Sequence, residues 1–275
     1  MNARPARFAL SRAELLAIVR HTPGLTLPSF VDGGSGSGSS STSPAADPAA
    51  TGARPDPRLL LALGLHAVGD GVIHAVSWSP GVMVRRSIAV GGAVAAAVSR
   101  SDAVTDGERT SPSSRFAVAL FPARQAAAQL ASSTPMVATA HPRDSTARRV
   151  GVIASRAIVE AARYGDPALV DDVAGDHGVD CDTVGVLNAL AARQASGLRV
   201  RSFDGRTGRC VGGGDWFGSA SGWLRVGLGF PAPAGAWSAD DLLRDATVSV
   251  AFTTGTEIRR SLTWLTADLL RTVSR

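Results

Sequence analysis

The sequence predicts an α+β fold in which two similar halves build one pseudo-symmetric sheet. Two observations lead to this prediction. A strand–turn–helix unit near the C-terminus has a second copy earlier in the chain, and each copy is preceded by a helix and further strands. We therefore expect a single domain over residues 1–275, made of halves at about 1–140 and 148–275.

The C-terminal unit joins a strand to an amphipathic helix. Thr247 to Phe252 alternates polar and apolar side chains, which is typical of a strand with one buried face. A turn follows around Gly255. From Glu257 onward, apolar residues recur every three or four positions, as on one face of a helix. They are Ile258, Leu262, Leu265, Leu269 and Leu270. Thr256 is expected to cap this helix with its hydroxyl.

The second copy spans Arg115 to Ala131, where a strand ends at Pro122 and an alanine-rich helix follows. The segments before each copy also match in type. Helices are predicted at 57–67 and 182–194, and strands at 82–90, 93–98, 198–203 and 222–230. The copies are about 130 residues apart, far more than the roughly 20–50 residues of solenoid repeats. The alternative is that two similar element orders arose by chance.

The other segments are less regular. Ser11 and Glu14 form a capping box that predicts a helix start. Residues 32–54 contain Gly, Ser, Thr, Ala, Pro and Asp without a large apolar residue, so we expect a disordered loop. The stretches 99–114 and 212–215 are expected to be loops. Residues 148–164 are expected to form one helix.

Composition narrows the function classes. The net charge is +5, and all 28 basic residues are arginines scattered along the chain. Nucleic-acid binding requires clustered basic groups, so this class is not favoured. The two cysteines, Cys181 and Cys210, are too few for a disulfide framework or a CxxC metal site. The sequence contains no run of about 20 apolar residues, so no membrane span is predicted. We expect a cytoplasmic protein, and the oligomeric state stays open.

The sequence offers little support for catalysis. The glycines at 212–214 precede a strand rather than a helix, and no lysine follows, so they do not match a phosphate-binding loop. One short segment concentrates polar groups that could hold a metal or pair a thiol with an imidazole. They are Asp176, His177, Asp180, Cys181 and Asp182. A polar loop with a helix cap from Asp180 or Asp182 explains them more simply. We predict no catalytic residue, no cofactor and no metal.

Aromatic residues near the glycine-rich stretch are the candidates for partner contact. Trp216 and Phe217 precede Trp223 and Leu224 by a few positions, and exposed aromatics favour protein interfaces. These four residues form the predicted partner-binding site. The alternative is that the tryptophans pack in the core or on the sheet, and Trp264 flanks the stripe of the last helix.

Four segments of the chain resemble the EspG-like proteins of actinobacterial type VII (ESX) secretion systems. They are Phe8–Leu15, Pro57–Leu63, Arg115–Pro122 with its alanine-rich helix, and Gly222–Val226. The doubled element order is also similar. The resemblance implies a central, mostly antiparallel sheet flanked by helical bundles. It further implies a non-catalytic cytosolic chaperone that binds the helical tip of substrates such as PE–PPE or WXG100-like proteins.

Two other classes stay open at this point. The chain could be a small-ligand or regulatory module, for which a deep apolar pocket with converging polar groups would speak. It could also be an enzyme with an unrecognised site around Asp176–Asp182. A shallow, elongated apolar groove would instead favour the chaperone.

Overall fold

The same order of helices and strands occurs twice along the chain. A computed structural model describes residues 5–32, 55–105, 108–113, 115–135, 146–192, 196–230 and 244–273. The first set of elements is β1 (Ala6–Ser11), α1 (Arg12–His21), α2 (Ser29–Asp32), α3 (Pro57–Val68), β2 (Gly71–Ser79), β3 (Val82–Gly91), β4 (Val94–Thr105), β5 (Glu108–Pro112), β6 (Arg115–Pro122) and α4 (Ala126–Ala131). Of the predicted loop at 32–54, Asp32 ends α2 and the rest lies outside the described residues.

Among the described residues, the second set repeats this order without a counterpart of β5. It comprises β7 (Arg148–Gly151), α5 (Val152–Tyr164), α6 (Pro167–Asp176), α7 (Cys181–Ala191), β8 (Ser196–Asp204), β9 (Cys210–Ser219), β10 (Gly222–Gly229), β11 (Thr247–Thr253) and α8 (Gly255–Val273). Each set thus runs from a strand through three helices to a run of strands and a final helix.

Corresponding strands also take corresponding places in the sheet. The first set has the order β1-β6-β4-β3-β2, with β5 beside β4, and the second has β8-β9-β10-β11-β7. The registered strand pairs are antiparallel. In each set, the strand before the first helix pairs with the strand that precedes the last helix. The α+β class, the mostly antiparallel sheet and the pseudo-twofold order are confirmed.

The chain divides into two compact units. The first comprises residues 1–133, 200–213 and 262–275, and the second comprises residues 134–199 and 214–261. Strands β8 and β9 and helix α8 contribute residues to both units. The division into halves at 1–140 and 148–275 within one domain stays a prediction.

Helices cover the sheet within each unit. In the first unit, Leu15 of α1 and Leu63 of α3 pack in one core with Val98 of β4 and Val118 of β6. The core of the second unit joins α5, α6 and α7 to β10 and β11. Its most buried members are Ile158, Leu187, Leu224 and Val250. Burying such aliphatic side chains stabilises the fold by about 1.5–3 kcal/mol each.

Three sequence expectations are wrong. Arg148–Gly151 is a strand rather than the start of a helix, because it pairs with β11 and buries Val150 in the second unit's core. Residues 99–105 continue β4 instead of forming a loop. The expected loop at 212–215 lies inside β9, where Gly212 leaves room for Leu265 of α8. A Cβ atom on Gly212 would lie 2.8 Å from the Leu265 side chain.

Candidate functional site

The four predicted partner-binding residues lie on two opposite faces of β9 and β10. In the register of these strands, Leu224 lies opposite Phe217, and both pack into the core formed with α5, α6 and α7. Residues directly opposite in an antiparallel pair project to the same face, and neighbours along a strand alternate. Trp216 and Trp223 therefore project to the other face, and the structure does not bring the four together.

Three of the four residues are also buried. The exposed fractions are 1% for Trp216, 2% for Trp223 and 0% for Leu224. The expected exposure is therefore wrong for these residues, and the alternative of sheet-packing tryptophans describes them better. The indole of Trp216 lies over Gly214, whose missing side chain gives the ring its space. A partner-binding role for these residues stays a prediction, and it now lacks the exposure on which it rested.

The second unit instead carries an open groove on its sheet. Strands β10, β11 and the segment around β7 form it, with a volume of about 620 Å³. Its floor is made of small residues, since Gly227 lies opposite Ser249 and Gly229 lies opposite Thr247. Glycine exposes the backbone and lets another molecule approach it closely. The groove is a place where an extended or helical segment can reach the sheet.

A large apolar side chain stands at one end of this groove. Phe230 is 60% exposed and lines it. Leu228 is 65% exposed, but it lies opposite the core residue Val248 and therefore projects to the other face of the sheet. Scattered exposed apolar residues are normal on a protein surface, but an aromatic one at a concave site indicates contact with a partner. We define the groove surface as Arg149, Arg225, Gly227–Phe230, Thr247 and Ser249, and use this name below.

Two arginines give the groove surface its charge. Arg149 of β7 and Arg225 of β10 are both exposed and have neither an ion pair nor a side-chain hydrogen bond among the described residues. Two other arginines of the unit are paired: Arg148 lies 3.5 Å from Asp182, and Arg199 lies 3.0 Å from Asp215. Asp245 also lines the groove. The surface thus combines apolar side chains with two unpaired cations.

A second concavity lies among the helices of the same unit. It has a volume of about 880 Å³ and is lined by the α5–α6 turn and the end of α7. Two of its charged groups are engaged elsewhere. Asp166 accepts hydrogen bonds from the Ala168 and Leu169 amides, and Arg163 pairs with Glu160 at 3.2 Å. A small-molecule site needs polar groups that converge on the ligand, so this cavity is the weaker candidate.

The polar cluster at 176–182 serves helix ends and surface pairing. Asp180 caps α7 by accepting from the Thr183 amide at 2.9 Å and from its hydroxyl at 2.8 Å. The hydrogen bond from the Thr183 amide, and then the one from the Thr183 hydroxyl, lower the pKa of Asp180. Asp182 pairs with Arg148, and Cys181 is exposed. Across the described residues, no three side chains of His, Cys, Asp or Glu come together to hold a metal ion.

Among the helices that the structure describes, none combines the length and the apolar character needed to cross a bilayer.

The fold is similar to that of a type VII secretion chaperone. The solved structure is Mycobacterium tuberculosis EspG5 in complex with the PE25–PPE41 dimer. The alignment with EspG5 covers 74% of this chain and 74% of that one, with 14% identity and a TM-score of 0.43. No family model matches the sequence, and no curated protein matches it.

The groove surface was missed because no sequence motif marks it. Its members come from β7, β10 and β11, and they meet only through strand pairing. One weak signal existed: Gly227 and Gly229 alternate with Leu228 ahead of Phe230, which is unusual for a packed strand. The expectation that aromatic residues are exposed at an interface points to Trp216 instead. The burial of Trp216 depends on Gly214, two positions earlier.

Proposed function

We propose that this protein is a non-catalytic chaperone of type VII (ESX) secretion that covers the apolar helical tip of its substrates in the cytoplasm. The observation that carries the proposal is the groove surface, where Phe230 is exposed beside a glycine floor. The sequence resemblance to the EspG-like proteins supplies the substrate class, namely PE–PPE or WXG100-like proteins. The PE25–PPE41 dimer bound to EspG5 is an example of that class.

Physical chemistry supports such a task. The apolar tip of a helical pair aggregates in water unless another surface covers it. Burial of apolar surface contributes about 25 cal/mol per Å², so a groove with an exposed aromatic side chain and a small-residue floor can bind such a tip without any covalent chemistry. Strand-borne residues are fixed by the sheet, which limits the entropy lost on binding.

The groove distinguishes this function from the two others that the sequence left open. It is open and lies along strands, which suits a protein segment better than a metabolite. The helical cavity near Gly165 would be the site of a small-ligand module, but two of its charged groups, Arg163 and Asp166, are already used for pairing and capping. The substitutions His177→Ala and Cys181→Ala distinguish the chaperone from an enzyme with a site around Asp176–Asp182. A chaperone keeps full substrate binding with both substitutions, whereas such an enzyme loses its activity.

Affinity purification from the native organism tests the proposal. The tagged full chain is recovered under conditions in which type VII substrates are expressed, and the associated proteins are identified and quantified by mass spectrometry. We expect small helical secretion substrates in near-stoichiometric amounts. A protein recovered without any such substrate under these conditions would contradict the chaperone function.

Variants then locate the contact. The variant Phe230→Ser should recover less than a tenth of the substrate, since it loses an apolar contact of about 1.5–3 kcal/mol. Val68→Ser is the matched control, because Val68 is 81% exposed in the other unit. Equal recovery by both variants would place the binding site elsewhere.

A further inference from the structure

The groove surface presents two unpaired positive charges to the same side of the sheet. Gly227 lies opposite Ser249, which lies opposite Arg149, so these three form one row across β10, β11 and β7. Arg225 lies opposite Ala251 in the next row of the same face. Both arginine side chains therefore project from the face that forms the groove, with the Ser249 side chain between them.

The spacing of the two arginines defines the ligand that fits them. Their strands are separated by β11, and their rows differ by two residues. Two strand spacings of about 4.8 Å and one step of about 6.8 Å place the Cα atoms roughly 12 Å apart. An extended chain covers this distance in about four residues. Two carboxylates four positions apart can thus reach both guanidinium groups while the residue between them faces the groove floor.

We propose that the groove surface recognises an acidic segment of the partner protein, in which two carboxylates flank an apolar side chain. The assignment rests on the proposed function and specifies its partner. Arginine pairs with carboxylates in a bidentate manner, and these hydrogen bonds are stronger than those between neutral groups. Thr247 and Ser249 add hydroxyl groups to the floor, and Gly227 leaves space above it for the central residue.

Charge complementarity favours this occupant over a purely apolar one. An apolar segment alone would desolvate Arg149 and Arg225 without pairing them, which opposes binding. Asp245 lines the same groove and repels a carboxylate placed beside it. We therefore expect the acidic residues to lie at the arginines and not at the Asp245 end.

A labelled peptide with the core Glu-Ala-Phe-Ala-Glu tests the assignment on the full-length protein by fluorescence anisotropy. The matched probe has the core Gln-Ala-Phe-Ala-Gln, which has the same shape without charge. We expect the acidic peptide to bind at least tenfold more tightly than its neutral counterpart. The double variant Arg149→Glu, Arg225→Glu should abolish this difference, and added salt should weaken it. Arg156→Glu, at an exposed position of α5 in the same unit, should leave it unchanged.

Several results would overturn the assignment. Equal binding of the two peptides, or equal losses in the Arg156→Glu control, would show that the groove does not select acidic segments. Tighter peptide binding by the Asp240→Asn, Asp241→Asn variant would show that carboxylates of this chain, rather than of a partner, occupy the site. Unchanged recovery of secretion substrate by the double arginine variant would refute the assignment while leaving the chaperone function intact. Selective binding of the acidic peptide by a protein that captures no secretion substrate would support the assignment and contradict the chaperone function.

Discussion

Arg100 and Asp102 form a buried, bidentate ion pair within one strand. Arg100 Nε lies 2.7 Å from Asp102 Oδ1, and Nη2 lies 3.1 Å from Oδ2. Their residues are only 5% and 1% exposed. The remaining groups are used as well: Arg100 Nη1 donates to the Phe30 carbonyl at 3.2 Å, and Asp102 accepts from the Ser113 amide at 3.2 Å. The pair thereby ties α2 and the start of β6 to β4.

The first prediction concerns this pair. Asp102→Ala should lower the free energy of unfolding by about 3–5 kcal/mol, because it leaves the Arg100 charge buried without its partner. Urea denaturation followed by circular dichroism measures the change. Arg163→Ala is the control, since its exposed pair with Glu160 is worth at most about 1 kcal/mol. Equal small effects of both substitutions would mean that Arg100 reaches water when Asp102 is removed.

The doubling of the fold could be predicted from sequence because it depends on local patterns. Period-two and period-three-to-four spacing recovered β6, β11 and α8 with small errors at their ends. The strand at Arg148–Gly151 was missed because four residues before a long helix give no period of their own. Strand β7 pairs with β11, which is far away in the sequence. The repeated order of elements suggests this pairing, but no local sequence pattern does.

The candidate site was less predictable for a physical reason. Burial of Trp216 depends on Gly214, and the groove depends on the order of β10, β11 and β7 in the sheet. Sequence patterns identify an aromatic residue but not the face on which the sheet places it. Arg149 and Arg225 are 76 positions apart in the chain and become neighbours only through β11.

The second prediction concerns the close contact between Gly214 and Trp216. Gly214→Ala should lower the free energy of unfolding by about 1–3 kcal/mol, since a Cβ atom there would overlap the buried indole. Gly185→Ala is the matched control on α7, because its Cβ meets no atom within 4 Å. Helix propensity should make that variant more stable by up to about 1 kcal/mol. Opposite signs of the two changes in a thermal melt confirm the contact, and equal signs contradict it.

The third prediction concerns the start of α8, where Thr254 and not Thr256 is the cap. The Thr254 hydroxyl accepts from the Glu257 amide at 3.2 Å, and the Glu257 carboxylate accepts from the Thr254 amide at 2.8 Å. The hydrogen bond from the Thr254 amide, and then the one from the Thr253 hydroxyl, lower the pKa of Glu257. Thr254→Ala should lower the free energy of unfolding by about 0.5–2 kcal/mol. Thr256→Ala, at an exposed position, should change it by less than about 0.5 kcal/mol, and the reverse ranking would restore the cap expected from sequence.

The fourth prediction starts from a histidine pair in the first unit. His66 of α3 places Nδ1 at 3.4 Å from the Ser87 hydroxyl, while its Nε2 is buried without a hydrogen-bond partner among the described residues. Burial, and then the nearby His74, lower the pKa of His66 to about 4. Burial also lowers the pKa of His74. The folded protein therefore keeps the His66 imidazole neutral at pH values where the unfolded chain has already bound a proton.

This difference makes stability depend on pH in one direction. Because the pKa of His66 is lower in the folded state, the unfolded state binds the proton first, and stability falls as the pH decreases from about 6.5 to 4. The displacement of this pKa from 6.5 to about 4 corresponds to a loss of about 3 kcal/mol. The variant His66→Gln should lack this part of the pH dependence, which urea titrations between pH 7 and 4 measure. His21→Gln, on the surface-exposed end of α1, should retain it, and parallel pH curves for wild type and His66→Gln would show that His66 does not titrate in the folded protein as described.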